Sequence, residues 1–216
     1  MPLPDPRPDP APALLLAAPL RLEAWVAGAE LRTGMGPRRA SRFGSGELAA
    51  RCQAGHRVIL LGLAGGLDPA RAPTGSVLVA TAVQREHGHR VDLDGELAGE
   101  LAGALGAWSL PVRDGLLLSV DRPVRGERRS RLRHTGAVAV DMEAGAIAEA
   151  LGARGALGGL GVVRVVADDG QRGFVRGGWQ GLKVLRRVAG ALRVHGAPPG
   201  VERARPFGAH PSGKTP

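Results

Sequence analysis

One stretch of this chain constrains its fold more than any other. In Val138-Ala139-Val140-Asp141-Met142-Glu143-Ala144-Gly145-Ala146-Ile147-Ala148, an apolar run passes directly into two carboxylates separated by a methionine. Small residues at helical spacing follow at once. A buried strand that carries a carboxylate to the edge of a sheet, and then turns into a helix, has this pattern. A second strand, Gly161-Val162-Val163-Arg164-Val165-Val166-Ala167-Asp168-Asp169, also ends in acids. Two strands ending in carboxylates predict one polar site at the ends of a sheet.

The rest of the chain predicts the sheet around them. Leu14 to Ala18 reads as a short buried strand. Trp25 to Ala27 and Glu30 to Thr33 read as a hairpin turning at Gly28-Ala29. Pro37 suits the start of a helix reaching Ala54. His56 to Leu63, Gly75 to Val83 and Pro111 to Ser119 read as strands. Leu97, Leu101 and Leu105 mark an amphipathic helix, Gly126 to His134 a short basic one, and Glu143 to Leu151 a third. Leu182, Leu185, Val188 and Leu192 mark a last one. Strands alternating with helices predict an α/β three-layer sandwich, with a central mixed β-sheet flanked by helices. No internal repeat appears. The organisation expected is a disordered Pro-rich lead-in over 1–12, a single domain over 13–196 and a flexible basic tail over 197–216.

Composition narrows the function. Hydrophobic residues make up 44%, but aromatics only 3% and Tyr is absent, so the core must be built from Leu, Val and Ala. The net charge of +9 would suit a nucleic-acid or lipid surface, but the arginines are dispersed and not interleaved with aromatics. The expected reading is a solvated basic surface and no nucleic-acid partner. The densest basic stretches are Arg125 to Arg133 and Arg186 to Arg193. Cys52 is the only cysteine, which excludes an internal disulfide and a cysteine zinc site. It reads as a packed helix residue. His87 and His89 lack the third ligand a metal site needs. No apolar run approaches the ~20 residues of a membrane span, and the N-terminus does not read as a signal peptide. A cytoplasmic protein is expected.

Taken singly, the acids allow bland readings. Glu143 fits a helix first turn, where the dipole favours an acid, as well as it fits a ligand for sugar hydroxyls. Asp168 and Asp169 fit caps as well as a site.

Four segments, in order, resemble the purine nucleoside phosphorylase / 5′-methylthioadenosine nucleosidase superfamily. They are Leu31-Arg32-Thr33-Gly34-Met35-Gly36-Pro37, Leu61-Gly62-Leu63-Ala64-Gly65-Gly66-Leu67-Asp68, Thr135 to Gly145, and Arg164-Val165-Val166-Ala167-Asp168. The Thr33 to Pro37 turn and the Thr135 to Glu143 segment most resemble its hopanoid-associated phosphorylase-like branch, which is linked to removal of adenine from adenosylhopane.

The resemblance implies cleavage of the N-glycosidic bond of an adenine nucleoside. Glu143 would bind the ribose hydroxyls, with Met142 packed on the sugar. Asp168 would hydrogen-bond the purine and donate a proton toward N7, and Arg164 would fix the acidic groups. Glu23 would activate water, Gly65 belongs to the Gly-rich loop against the substrate, and Phe174 would either cap the 5′ side or pack on the last helix. Asp141 is expected to be structural. Which of Asp168 and Asp169 faces inward stays open, the spacing from Arg164 favouring Asp168. Leu63 stands where the family often has a hydroxyl residue, which favours hydrolysis over phosphorolysis. Arg38 would be either a phosphate ligand or a helix-surface residue. A phosphate-dependent phosphorylase and a non-catalytic nucleoside-binding relative are the alternatives. No cofactor is implied. The partners implied are a small-molecule nucleoside, phosphate if the reaction is phosphorolysis, and further copies of the chain. Peripheral membrane proximity would follow from a lipid substrate.

Overall fold

The computed structural model describes residues 13–169 and 174–196. The proposed lead-in and tail lie outside the described residues. The fold is built around β3 (Arg57–Gly66), whose run Val58 to Leu61 is buried on both faces. β3 pairs in parallel with β1 (Leu14–Ala18) on one side and with β8 (Leu160–Asp168) on the other. β2 (Leu31–Arg32) extends the sheet beyond β1.

Beyond β8 the sheet turns back on itself. β8 pairs antiparallel with β4 (Val77–Arg85), β4 parallel with β6 (Val112–Ser119), and β6 parallel with β7 (Ala139–Asp141). β7 then pairs antiparallel with β3, closing a ring of pairings, while β5 (Arg90–Asp92) hangs from β4 as an edge. The mixed sheet is as expected; its closure was not legible.

Helices cover both faces. Ile59 and Leu61 pack with Leu97 and Leu101 of α4 (Gly95–Gly106) and with Leu185 and Leu192 of α7 (Phe174–Gly196). On the other face Val58 and Leu60 pack with Ala40 of α2 (Pro37–Phe43), Ala49 of α3 (Ala49–Gln53) and Ile147 and Leu151 of α6 (Ala144–Gly152). These are the aliphatic cores that the composition demanded. Each fully buried Val, Leu or Ile side chain contributes roughly 1.5–3 kcal/mol relative to exposure. The short basic helix α5 (Gly126–Arg133) covers a third cluster around Leu67, Leu118 and Val140.

Two expectations are corrected. The hairpin over Trp25 to Thr33 is absent. Residues Arg21–Ala27 form a helix, α1, and β2 after it runs parallel to β1. The helix wins because it buries Glu23, Ala24 and Ala27 on one face while the Glu23 carboxylate accepts from the Leu20 N–H at 3.1 Å. The helix from Pro37 to Ala54 is a single helical run only in outline. It is broken into α2 and α3 by a wide turn with Gly46 at φ −106°, ψ −105°.

Candidate active site

The site forms where β3, β7 and β8 meet. Gly65 is opposite Val140 of β7 and, after a bulge, opposite Asp168 of β8. Because β7 runs against β3, its chain carries Asp141 and Glu143 back along β3, toward Arg164 opposite Gly62. The two carboxylate strands thus flank β3 and run in opposite directions along it.

Its foundation is a buried ion pair. Arg164 and Asp141 each expose 1% of their side chains, and Arg164 donates to Asp141 Oδ2 from Nη2 at 2.8 Å and from Nε at 3.0 Å. Arg164 Nη1 donates to the Leu60 carbonyl at 2.9 Å. Asp141 also accepts from the Ala144 N–H at 3.1 Å and from the Ser119 hydroxyl, which itself accepts from the Gly145 N–H at 2.7 Å. Asp141 and Ser119 therefore serve the first N–H groups of α6, where a negative charge is favoured. Every polar atom of Asp141 is engaged in holding the protein together, as the expected structural role requires.

Two further carboxylates gather around this pair. Glu143, at the N-terminal edge of α6, is 7% exposed, and its Oε1 accepts from the Gly36 N–H at 3.1 Å. Burial, reinforced by the Asp141 and Glu23 charges and opposed by Arg164 and the Gly36 N–H, pushes its pKa up to about 7. Glu23, on α1, is 3% exposed, and its Oε1 accepts from the Leu63 N–H at 2.9 Å. Burial raises its pKa as well, against the Leu63 N–H, Arg164 and the Leu20 N–H, with Asp141 adding to the rise. Both groups are thus brought toward the range in which a carboxyl can take or give a proton near neutral pH.

The paired acids at the end of β8 divide. Asp169 is buried and its Oδ2 accepts from the Thr74 N–H at 3.2 Å. Asp168 keeps 20% of its side chain exposed and accepts from Arg129 Nη2 on α5 at 3.0 Å.

Other expected site residues fall as follows. Met142 is half-buried against the cluster of Leu67, Leu118 and Val140. The Leu63 side chain packs with the core facing α7, so only its backbone N–H meets the site. Arg38 is an exposed residue of α2. Phe174 begins α7, and its side chain, with residues 170–173, lies outside the described residues. Burial raises the Cys52 thiol to about 11, in keeping with a packed rather than nucleophilic residue. Sequence reasoning missed Ser119, Arg129 and the Gly36 N–H. Ser119 and Arg129 carry no local signal, because their partners come from distant strands.

The sheet is closed and mixed, with buried carboxylates where three of its strands meet. Residues 30–175 match the family model of the phosphorylase superfamily, and the chain belongs to that family. Its fold is shared with the 5′-methylthioadenosine/S-adenosylhomocysteine nucleosidase of Helicobacter pylori, at a TM-score of 0.71 and 16% identity over 85% of this chain and 97% of that one. The futalosine hydrolase of H. pylori superposes at a TM-score of 0.70 with 15% identity, covering 84% of this chain and 96% of that one. The nucleosidase of Neisseria meningitidis gives 0.68 at 21% identity, over 84% of this chain and 96% of that one. No curated protein matches the sequence significantly. Membership places this chain among the enzymes of the phosphorylase superfamily.

Proposed function

We propose that the chain hydrolyses the C1′–N9 bond of an adenine nucleoside. Positive charge grows on the ribose as that bond breaks, and adenine leaves readily only when protonated. Asp168 passes its proton to N7 while the bonding electrons stay on N9. Glu143 accepts hydrogen bonds from the ribose hydroxyls, and its negative charge favours the cationic sugar. Glu23 takes a proton from the water that attacks C1′. Arg164 acts through Asp141, setting the edge of α6 on which Glu143 stands.

The observation that carries hydrolysis over phosphorolysis is at Leu63. A phosphate cradle needs hydroxyls and free backbone N–H groups. At this position the hydroxyl is replaced by an alkyl chain turned into the core, and the N–H already donates to Glu23. A phosphate there would face a carboxylate. The finer substrate reading is adenosylhopane, supported by the Thr33 to Pro37 and Thr135 to Glu143 segments.

The test is release of adenine from 5′-methylthioadenosine and from adenosylhopane, with and without inorganic phosphate. Adenine and the free 5-substituted ribose are expected at a phosphate-independent rate. The 1-phosphate of that 5-substituted ribose, appearing only with phosphate, would establish the phosphorylase instead, and binding without turnover would establish a non-catalytic relative. Homo-oligomerisation, which the resemblance also implies, is read by sedimentation velocity.

A further inference from the structure

Large apolar side chains left in water gather in one part of this molecule. Among the described residues they are Leu20, Leu22, Trp25, Met35 and Trp179, and all but Trp179 fall between Leu20 and Met35. Trp25 is 80% exposed, Met35 59% and Leu22 51%. Leu22 and Trp25 stand three residues apart on α1, on the side away from the buried Glu23, Ala24 and Ala27. Met35 lies in the turn between β2 and α2, and α1 packs against β2. The next residue in that turn, Gly36, donates its N–H to Glu143, and Leu20 donates its own to Glu23. The apolar patch therefore borders the site.

Arginines surround it. Arg21 on α1, Arg32 on β2 and Arg38, Arg39 and Arg42 on α2 are exposed, and none pairs with an acid among the described residues. The Arg39 side chain lies beside Met35, since a Cβ on Gly34 would be 3.3 Å from Arg39 Cβ. The acids of this stretch are otherwise engaged. Glu23 is buried in the site, and Glu30 accepts from the Leu16 N–H at 2.7 Å and faces Arg193 at 3.7 Å. Exposed apolar groups ringed by unopposed charge of one sign stabilise nothing within the chain, and mark a surface that meets a partner.

We propose that this face docks on the surface of a bilayer containing anionic phospholipid. Leu22, Trp25 and Met35 enter the boundary between headgroups and acyl chains, where an indole ring is favoured. The surrounding arginines reach the headgroup phosphates, whose negative charge they complement. A bilayer answers both features at once, apolar at its depth and anionic at its rim. A second copy of the chain would instead set these arginines against their own equivalents across a two-fold interface. The contact is peripheral: no helix among the described residues is long and apolar enough to cross a membrane. The basic surface expected to be merely solvated thus has apolar neighbours around α1. Because the patch borders Glu23 and Glu143, docking brings the site to the bilayer. The inference stands on this surface alone and does not depend on which nucleoside the site takes.

The experiment is cosedimentation of the full chain with vesicles of phosphatidylcholine, alone or in equal parts with phosphatidylglycerol. Wild type is expected to bind the anionic vesicles about tenfold or more tighter than the neutral ones, and to weaken as salt rises. L22S/W25S and R39Q/R42Q are each expected to lose about tenfold or more on the anionic vesicles, with unchanged circular dichroism spectra because the altered side chains are exposed. R51Q/R154Q removes the same charge from the opposite end of β3, where α3 ends at Gln53 and Gln53 Nε2 donates to the Arg154 carbonyl at 3.1 Å. It is expected to stay within about twofold of wild type. Brominated acyl chains are expected to quench tryptophan emission in wild type and less in W25F. No binding to the anionic vesicles, equal losses in R51Q/R154Q and R39Q/R42Q, or undiminished binding by L22S/W25S would overturn the inference. A dimer in sedimentation velocity that L22S/W25S dissociates would overturn it too, because a second copy then covers the face.

Discussion

Asp141 and Glu143 carry the same functional group two residues apart and have opposite fates. Asp141 is neutralised by Arg164 and committed to α6, whereas Glu143 meets one backbone N–H and is left among like charges. A carboxyl whose pKa is raised to about 7 in the folded protein binds its proton more tightly folded than unfolded. Its contribution is therefore full below the unfolded value near 4.5 and is lost as pH rises through about 7. The Tm of the wild type is expected to fall over that window, and E143Q, which cannot ionise, is expected to flatten the dependence. An identical slope in both proteins would refute the assignment. At the far side of the site, D168N is expected to lower adenine release by about 10²-fold or more with an unchanged circular dichroism spectrum. Near-wild-type turnover would remove Asp168 from the role of acid. Both residues stood out in the sequence because each ends an apolar strand. Arg129 did not, because its inward turn depends on a glycine more than sixty positions away in the chain.

Among the elements, the segment from Arg21 to Arg32 shows how a tertiary contact overrides a local pattern. Aromatic and β-branched residues on both sides of Gly28 suggest a hairpin, but the buried carboxylate of Glu23 finds its donors at Leu20 and Leu63 only from a helix. The turn before α2 is set by backbone shape. Gly36 has φ +87° and ψ 157°, a conformation almost confined to glycine, and nothing lies within 4 Å of where its Cβ would be. Strain, not crowding, is what G36A introduces. That variant is expected to be less stable by about 1–3 kcal/mol in urea unfolding, and to raise KM through misplacement of the N–H that holds Glu143. A variant with wild-type stability and KM would show that the turn is not constrained in this way.

For the molecule as a whole, closure of the sheet sets the hierarchy of stability. β3 is paired on both sides by β1, β8 and β7, while among the described residues the three-residue β5 pairs only with β4. Hydrogen exchange is expected to find the amides of Val58 to Leu63 and Val162 to Val166 opening only with global unfolding, and those of Arg90 to Asp92 exchanging far sooner. Equal protection of both regions would contradict this ordering. The basic surface also takes on structure at this scale, since three arginines of the Arg125 to Arg133 stretch are engaged within the chain by Glu86, Asp168 and Leu67. The sequence by itself determined the strand and helix alternation, the aliphatic core and the presence of acids at the ends of two apolar strands, because these follow from local periodicity and from polar groups that end apolar runs. Tertiary structure alone decided that β7 runs against β3, that the strands close into a ring, that Glu23 and Glu143 gather around Arg164 and Asp141, and that Arg129 reaches Asp168. Those outcomes depend on pairings between distant segments, for which a single sequence carries no periodic signal.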